Sequence, residues 1–165
     1  MICRLKQLQF VLLQLLQQQA GLENVITVSS TNKNQELAYY SNYGNRIDLV
    51  ALAGDFGDTY FSEGQINVTY MMLMTKPMKM GQNFIDQAVG LPAGYTLSFG
   101  TSLAAPQVSA ALALLMAEDK AKNPNPQKYV NQFYRGAVDL GDPGPDEVYG
   151  QGELNITKSL KSNYK

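Results

Sequence analysis

From Thr101 the chain reads T-S-L-A-A-P-Q-V-S-A-A-L-A-L-L-M, and this run constrains the fold more than any other. Leu103, Ala104, Val108, Ala111, Leu112, Leu115 and Met116 recur at helical spacing, while Ala105, Ala110, Ala113 and Leu114 fill the remaining faces. A helix apolar on every side belongs inside a layered fold, and Glu118, Asp119 and Lys120 mark its return to water. Pro106 is tolerated near its start because first-turn amides lack intrahelical partners. Upstream, the β-branched run Val25 to Val28 predicts a strand closed by a turn over Ser29 to Asn34. Ile47 to Leu52, ending at Gly54 and Gly57, predicts a second strand. Leu37 to Tyr40 pairs with or extends these, after which Ser41 to Asn45 turns. Short strands of continuous apolar character suit a sheet covered on both faces, so the fold class is α/β.

The chain has 165 residues, enough for one modest core. Lys plus Arg number 13 against 14 Asp plus Glu, a formal net charge of -1, which gives no electrostatic reason for nucleic acid or an anionic membrane as partner. The single Cys3 excludes an intrachain disulfide framework, and with no histidine it cannot build a Cys/His zinc cage. Any mechanism that needs an imidazole must take it from outside this chain.

Residues 1–20 form a separate compositional block, rich in Gln, with Arg4 and Lys6 but no acidic residue. Leu5, Leu8, Leu12, Leu15 and Leu16 step along it at helical spacing, predicting an amphipathic or largely buried helix. The apolar run is broken by Gln14 and has no small-x-small cleavage site after it, so it makes a poor signal peptide, and it is too short and polar to span a bilayer. Residues 21–165 form the second unit. Within them, Met71, Met72, Met74, Met78 and Met80 crowd a stretch broken by Pro77 and Gly81, where adaptable hydrophobic packing in an insertion or hairpin is the plainest account. Beyond the apolar helix, Asn123 to Pro126 is a turn, Gln127 to Arg135 a helix, Asp139 to Pro145 a loop, and Leu154 to Lys161 a short closing helix or strand-helix end.

Ser102 is a candidate nucleophile by its position. It follows Gly100 and Thr101 where a strand gives way to the apolar helix, so the unpaired amides and positive end of the helix dipole point at it. A hydroxyl nucleophile there has backbone N–H groups aimed at the oxyanion that develops in acyl transfer. The plainer alternative is that Thr101 or Ser102 is an N-cap. Asp55, Asp58 and Glu63 lie close together after a glycine bend and are either a calcium cluster or, more simply, solvated loop carboxylates. N-V-T at Asn67 and N-I-T at Asn155 are sequons of the kind chance supplies.

G-T-S-L-A-A-P-Q-V-S-A at Gly100 to Ala110 resembles the nucleophile motif of subtilisin-like serine proteases. E-N-V-I-T-V-S-S-T from Glu23, L-A-Y-Y-S-N-Y-G from Leu37, I-D-L-V-A from Ile47 and Y-G-Q-G-E-L-N from Tyr149 resemble further elements of that family, in its order, over about residues 21–160. Among its members the wording Y-T-L-S-F-G-T-S-L-A-A-P is most similar to bacterial lantibiotic leader peptidases. The resemblance implies the C-terminal half of a three-layer α/β/α catalytic domain, with a mostly parallel sheet and a buried central helix starting at the nucleophile. It implies Ser102 as nucleophile, with Gly100, Thr101 and Leu103 lining the cleft, Leu103 on the leaving-group side. It further implies a peptide or protein substrate, such as a lantibiotic precursor, and no required cofactor or metal. Members are usually secreted or at the cell surface. Leu52 and Ala53 replace the usual Pro-Gly, Gln107 a frequent His, and Ala110 a usual Gly.

In the family the triad runs Asp, His, Ser along the chain, yet no Asp precedes Asp48 and there is no His. The side-chain oxyanion donor, an Asn, is also absent from the segment before Glu23. Losing such a donor costs about 10² to 10³ in turnover, and losing the triad His about 10⁶. The related sedolisins use an E-x-x-x-D pair, but Glu23, Glu36 and Glu63 are followed at that spacing by Thr27, Tyr40 and Asn67. A Ser-Lys pair through Lys76 or Lys79 has no support in the surrounding sequence. Three readings follow: a truncated protease silent by itself, a pseudoprotease that binds peptide, or one part of a pair in which a separate N-terminal chain supplies acid and base.

Overall fold

The computed structural model describes residues 25–119 and 125–162. The leader helix expected over residues 1–20 lies outside them, as does the first half of the turn at 123–126. Strand β1 (Val28–Thr31) pairs in parallel with β2 (Leu49–Leu52), Val28 opposite Leu49 and Thr31 opposite Leu52. Then follow the one-turn helix α1 (Tyr60–Glu63), a 3₁₀ turn at Val68–Tyr70, strand β3 (Met72–Thr75), α2 (Phe84–Ala88) and β4 (Tyr95–Ser98). Helix α3 (Thr101–Glu118), α4 (Pro126–Gly136) and α5 (Ile156–Lys161) complete the order.

The expected strand at Val25 to Val28 is displaced. β1 takes in Ser29, Ser30 and Thr31, which the sequence assigns to a turn. Their preference for turns is overridden by tertiary partners: Ser29 Oγ donates to the Asn42 carbonyl at 2.6 Å, Thr31 Oγ1 donates to Glu153 Oε1 at 2.5 Å, and at Ser30 the backbone amide, not the hydroxyl, is held, donating to Ser41 Oγ at 2.8 Å. Leu37 does pair, through a single antiparallel bridge to Thr31.

The core forms where β2 meets the helices. Leu49, Ala51 and Ala53 join Ala104, Val108, Ala111 and Leu115 of α3 and Tyr129 and Phe133 of α4 in one buried cluster. Alternation along the strand sends Val50 to the opposite side, where it is also fully buried, so β2 is covered on both faces. The closing segment completes the layer: Glu153 bridges Val50 in parallel and Val138 antiparallel. Gly152 makes this possible, since a Cβ there would lie 2.3 Å from the Val138 carbonyl oxygen. Asn125 and Asn155 cap α4 and α5 through their side chains, and Pro126 opens α4 at a position that needs no amide donor.

Helix α3 is less enclosed than its sequence suggests. Its buried residues, Ala104, Val108, Ala111 and Leu115, form one stripe, while Leu114 is 51% exposed and Met116 40%. Apolarity around the whole circumference shows what a helix can bury; burial itself depends on what stands opposite, and the described residues cover one side only. Pro106 is the sixth residue of α3, beyond the first turn, so the Ser102 carbonyl lacks its usual partner four residues on.

Residues 55–98 make an excursion from the end of β2 to the start of α3. Strands β3 and β4 form an antiparallel pair, Met72 opposite Ser98 and Thr75 opposite Tyr95. Asp86 of α2 is fully buried and ties the unit together: Lys76 Nζ, Thr96 Oγ1, and the Leu97 and Asn83 amides all donate to its carboxylate. Burial pushes the Asp86 carboxyl upward, but those donors, Lys76 first, outweigh it and hold the group at about 2, below its ordinary 3.8. The methionines divide: Met71, Met72 and Met74 are half-buried on or beside β3, in keeping with packing in a hairpin, whereas Met78 is 73% exposed and Met80 60%.

Candidate active site

The N-cap of α3 is Gly100, with φ 135° and ψ 154°, a region that essentially only glycine occupies. Thr101 and Ser102 are therefore the first two helical residues, which rules out either as the cap. No side chain caps this end; the Leu103 amide donates to the Gly100 carbonyl at 2.8 Å, which leaves the Thr101 and Ser102 amides without a partner among the described residues. Gly100 is required at this point for its backbone conformation. A Cβ built on it meets none of the described atoms within 4 Å, so within the chain the need is for conformation, not space. The Gly100 amide donates to the Ala53 carbonyl at 3.3 Å, fixing the turn against the end of β2.

Ser102 is exposed at the second position of an 18-residue helix, and among the described residues no group hydrogen-bonds its hydroxyl. The dipole of that helix and the unpaired N–H groups favour negative charge beside the serine oxygen. Leu103 turns inward and packs partly against the core cluster. Gln107, one turn further on, donates through Nε2 to the Leu52 carbonyl at 2.6 Å and to the Leu103 carbonyl at 2.8 Å, tying α3 to the strand end.

The basic candidates do not reach Ser102. Lys76 is paired with buried Asp86, and its ammonium also donates to the Gly81 carbonyl at 3.2 Å, so it serves the excursion as a counter-ion. The carboxylates after the glycine bend are spread over different tasks. Asp55 is buried and accepts from the Gly57 amide at 2.8 Å and from Asn32 Nδ2 at 3.2 Å, while Asp58 is exposed and accepts from the Thr59 amide. Among the described residues no three His, Cys, Asp or Glu side chains are grouped to hold a metal ion. No described helix is long and apolar enough to cross a membrane.

The structure adds a feature that sequence reasoning missed. Tyr39, Tyr40, Phe56, Tyr60, Phe61 and Phe99 come from three separate segments and form one group of rings beside Gly100. Phe56 and Phe99 are 4.4 Å apart between centroids, and Tyr40 and Phe99 5.3 Å. Burial raises the Tyr40 hydroxyl above its ordinary value, with Asp55 and Tyr39 adding to it, against a smaller pull downward from Ser30 and the Gly100 backbone. Tyr39 is raised too, by burial first and then by Tyr60 and Asp55. No periodicity links the three segments, so only the tertiary fold reveals the group.

Compared with known proteins, residues 10–152 match the model of the Subtilase family. The match thus begins within the Gln- and Leu-rich block. The epidermin leader peptide-processing serine protease EpiP of Staphylococcus epidermidis is 32% identical over 145 residues, which cover 86% of this chain and 29% of that protein. The minor extracellular protease Epr of Bacillus subtilis (strain 168) is 26% identical over 133 residues, 81% of this chain and 16% of that protein. Among solved structures, a lanthipeptide protease superposes with a TM-score of 0.79 at 37% identity, covering 87% of this chain and 44% of that one. EpiP from Staphylococcus aureus gives 0.65 at 29% identity, covering 88% and 32%. The chain spans less than half the length of each of these proteins. The likeness confirms the α/β fold.

Proposed function

The chain belongs to the subtilase family, and from that premise we propose that Ser102 is the nucleophile of a serine-type endopeptidase whose acid and base come from polypeptide outside this sequence. The observation that carries the proposal is Ser102 itself, exposed on the uncapped first turn of α3 with a hydroxyl that no described residue engages. An imidazole would take the Ser102 proton as Oγ attacks the peptide carbonyl carbon. The carbonyl oxygen then becomes an oxyanion, facing the amides of the helix start. Collapse of the tetrahedral species breaks the C–N bond, the amine leaves with the proton returned by the imidazole, and an ester on Ser102 remains for water to hydrolyse. Gly100 and Thr101 would line the cleft as backbone; Leu103, turned toward the core, supports the turn more than it meets the substrate.

Two facts support an external base. The sequence has no histidine, and α3 leaves Leu114 and Met116, on opposite flanks of its buried stripe, partly uncovered among the described residues and open to further apolar packing. The substrate we propose is a leader peptide of a lanthipeptide precursor. That rests on EpiP, named for processing the epidermin leader peptide, and on the lanthipeptide protease that superposes well.

The test is covalent labelling of Ser102 by a fluorophosphonate, with the full chain alone and together with a polypeptide carrying the family's D-[S/T]-G and H-G-T segments. Labelling only in the mixture, abolished by Ser102→Ala, is the expected result. No labelling in the mixture, with peptide binding retained, would replace this proposal with a peptide-binding module that lacks turnover.

A further inference from the structure

The ring group beside Gly100 runs from the inside of the molecule to its surface. At the inner end, Tyr40 donates its hydroxyl to the Gly54 carbonyl at 2.7 Å, next to the Ala53 carbonyl that receives the Gly100 amide. The nucleophile turn and the ring group therefore share one anchor, the backbone at the end of β2. Outward from there, Tyr39 acts as the hub: it stacks on Phe56 at 5.9 Å and on Tyr60 at 5.8 Å, and meets the edge of Phe61 at 5.2 Å. Phe61 is 73% exposed and Tyr39 40%, so large ring faces stand in water at a place held rigidly to the turn that carries Ser102.

Rings at such exposure forgo most of their burial free energy unless something covers them. From this geometry we infer a specificity subsite in which Tyr39, Tyr60 and Phe61 receive an aromatic or long aliphatic side chain of the peptide bound across Ser102. The subsite rests on the endopeptidase reading for the path of its peptide. Its occupant is apolar because the exposed surface is ring carbon. An anionic side chain is disfavoured there, since Asp58 and Glu63 bracket Tyr60 and Phe61 in the sequence and are both exposed. The fixed rings lose little conformational freedom on binding, which is why such surfaces discriminate between side chains efficiently.

The subsite is tested with the full chain and blocked Gly/Ser hexapeptides carrying one guest residue, Phe, Leu, Ala, Lys or Asp, with binding followed by NMR shift changes. Phe and Leu guests are expected to bind roughly three- to tenfold tighter than Ala, the range set by aromatic contacts. That preference should vanish in Phe61→Ala and survive in Phe61→Tyr, with circular dichroism unchanged in both. Equal binding of Phe and Ala guests, a preference for Lys over Phe, or a preference that persists in Phe61→Ala would overturn it. A small fluorophosphonate carries no guest side chain, so its failure to label Ser102 while the Phe preference holds counts against the nucleophile alone.

Discussion

The two halves of the described structure are held together by opposite means. In the layer of β1, β2, α3, α4 and α5, apolar side chains meet across a parallel pair, and Tyr129 and Phe133 are almost wholly buried. In the excursion over residues 55–98 the hub is a carboxylate, Asp86, with four donors around it, and large apolar side chains such as Phe84 and Leu73 face water. Dispersion and burial tolerate small shifts, whereas a buried charge depends on every partner being in place. The lesson is that Ser102, at the junction of the two, takes its stability from the first and its approach from the second.

The comparison can be broken most strongly in the layer. Phe133→Ala leaves a cavity in the cluster that packs α4 against α3 and should cost about 3 to 5 kcal/mol, read by chemical denaturation, with peptide amides throughout the layer losing protection together. Next comes Asp86→Asn, which leaves the Lys76 ammonium enclosed without its counter-charge. Hydrogen exchange should show residues 72–98 losing protection while β1 and β2 keep theirs, and equal loss in both regions would show that they are not separate. Because the Asp86 carboxyl is lowered to about 2, its contribution is present above the ordinary value of 3.8 and is lost as pH falls through about 2. The excursion should therefore loosen in acid before the layer does, and Asp86→Asn should remove that acid step.

A smaller effect is expected at the junction. Gly100→Ala forces a side chain into a backbone region that glycine alone occupies readily, at a cost of about 1 to 3 kcal/mol, and should slow fluorophosphonate labelling more than it lowers Tm. The smallest belongs to the layer in alkali. Burial, then the charge of Asp48 and the hydrogen bond to it, push the Tyr134 hydroxyl up to about 12 from 10.0. The layer should lose stability as pH rises from 10.0 through about 12, and Tyr134→Phe should flatten that slope at a neutral-pH cost of about 0.5 kcal/mol. An excursion sensitive to acid and a layer sensitive to alkali would confirm that they are built on different forces.

Much of the layer was readable before any coordinates. The run after Thr101 announces α3, the apolar stretch before Gly54 announces β2, and the string from Gly100 to Ala110 points to Ser102. What failed did so for tertiary reasons. Ser29, Ser30 and Thr31 carry turn preferences, and only partners between 11 and 122 residues away make them a strand. Lys76 and Asp86 are an ordinary charged pair on paper, and no spacing rule says that the fold will bury them. The ring group beside Gly100 is assembled from Tyr39 and Tyr40, from Phe56 to Phe61, and from Phe99, separated by segments of unequal length.

The hydrogen bond from Thr31 to Glu153 joins residues 122 positions apart. At about 5 to 20 residues per second, a ribosome needs roughly 6 to 25 seconds to deliver the second after the first. Once Leu52 has followed, the β1–β2 pair waits for the rest of that interval without the segment that closes its layer. Such distant pairing also slows folding after release. The growing chain thus passes through a stage in which β1 and β2 are finished and unsealed, when a chaperone or a complementary polypeptide would find them most open to capture.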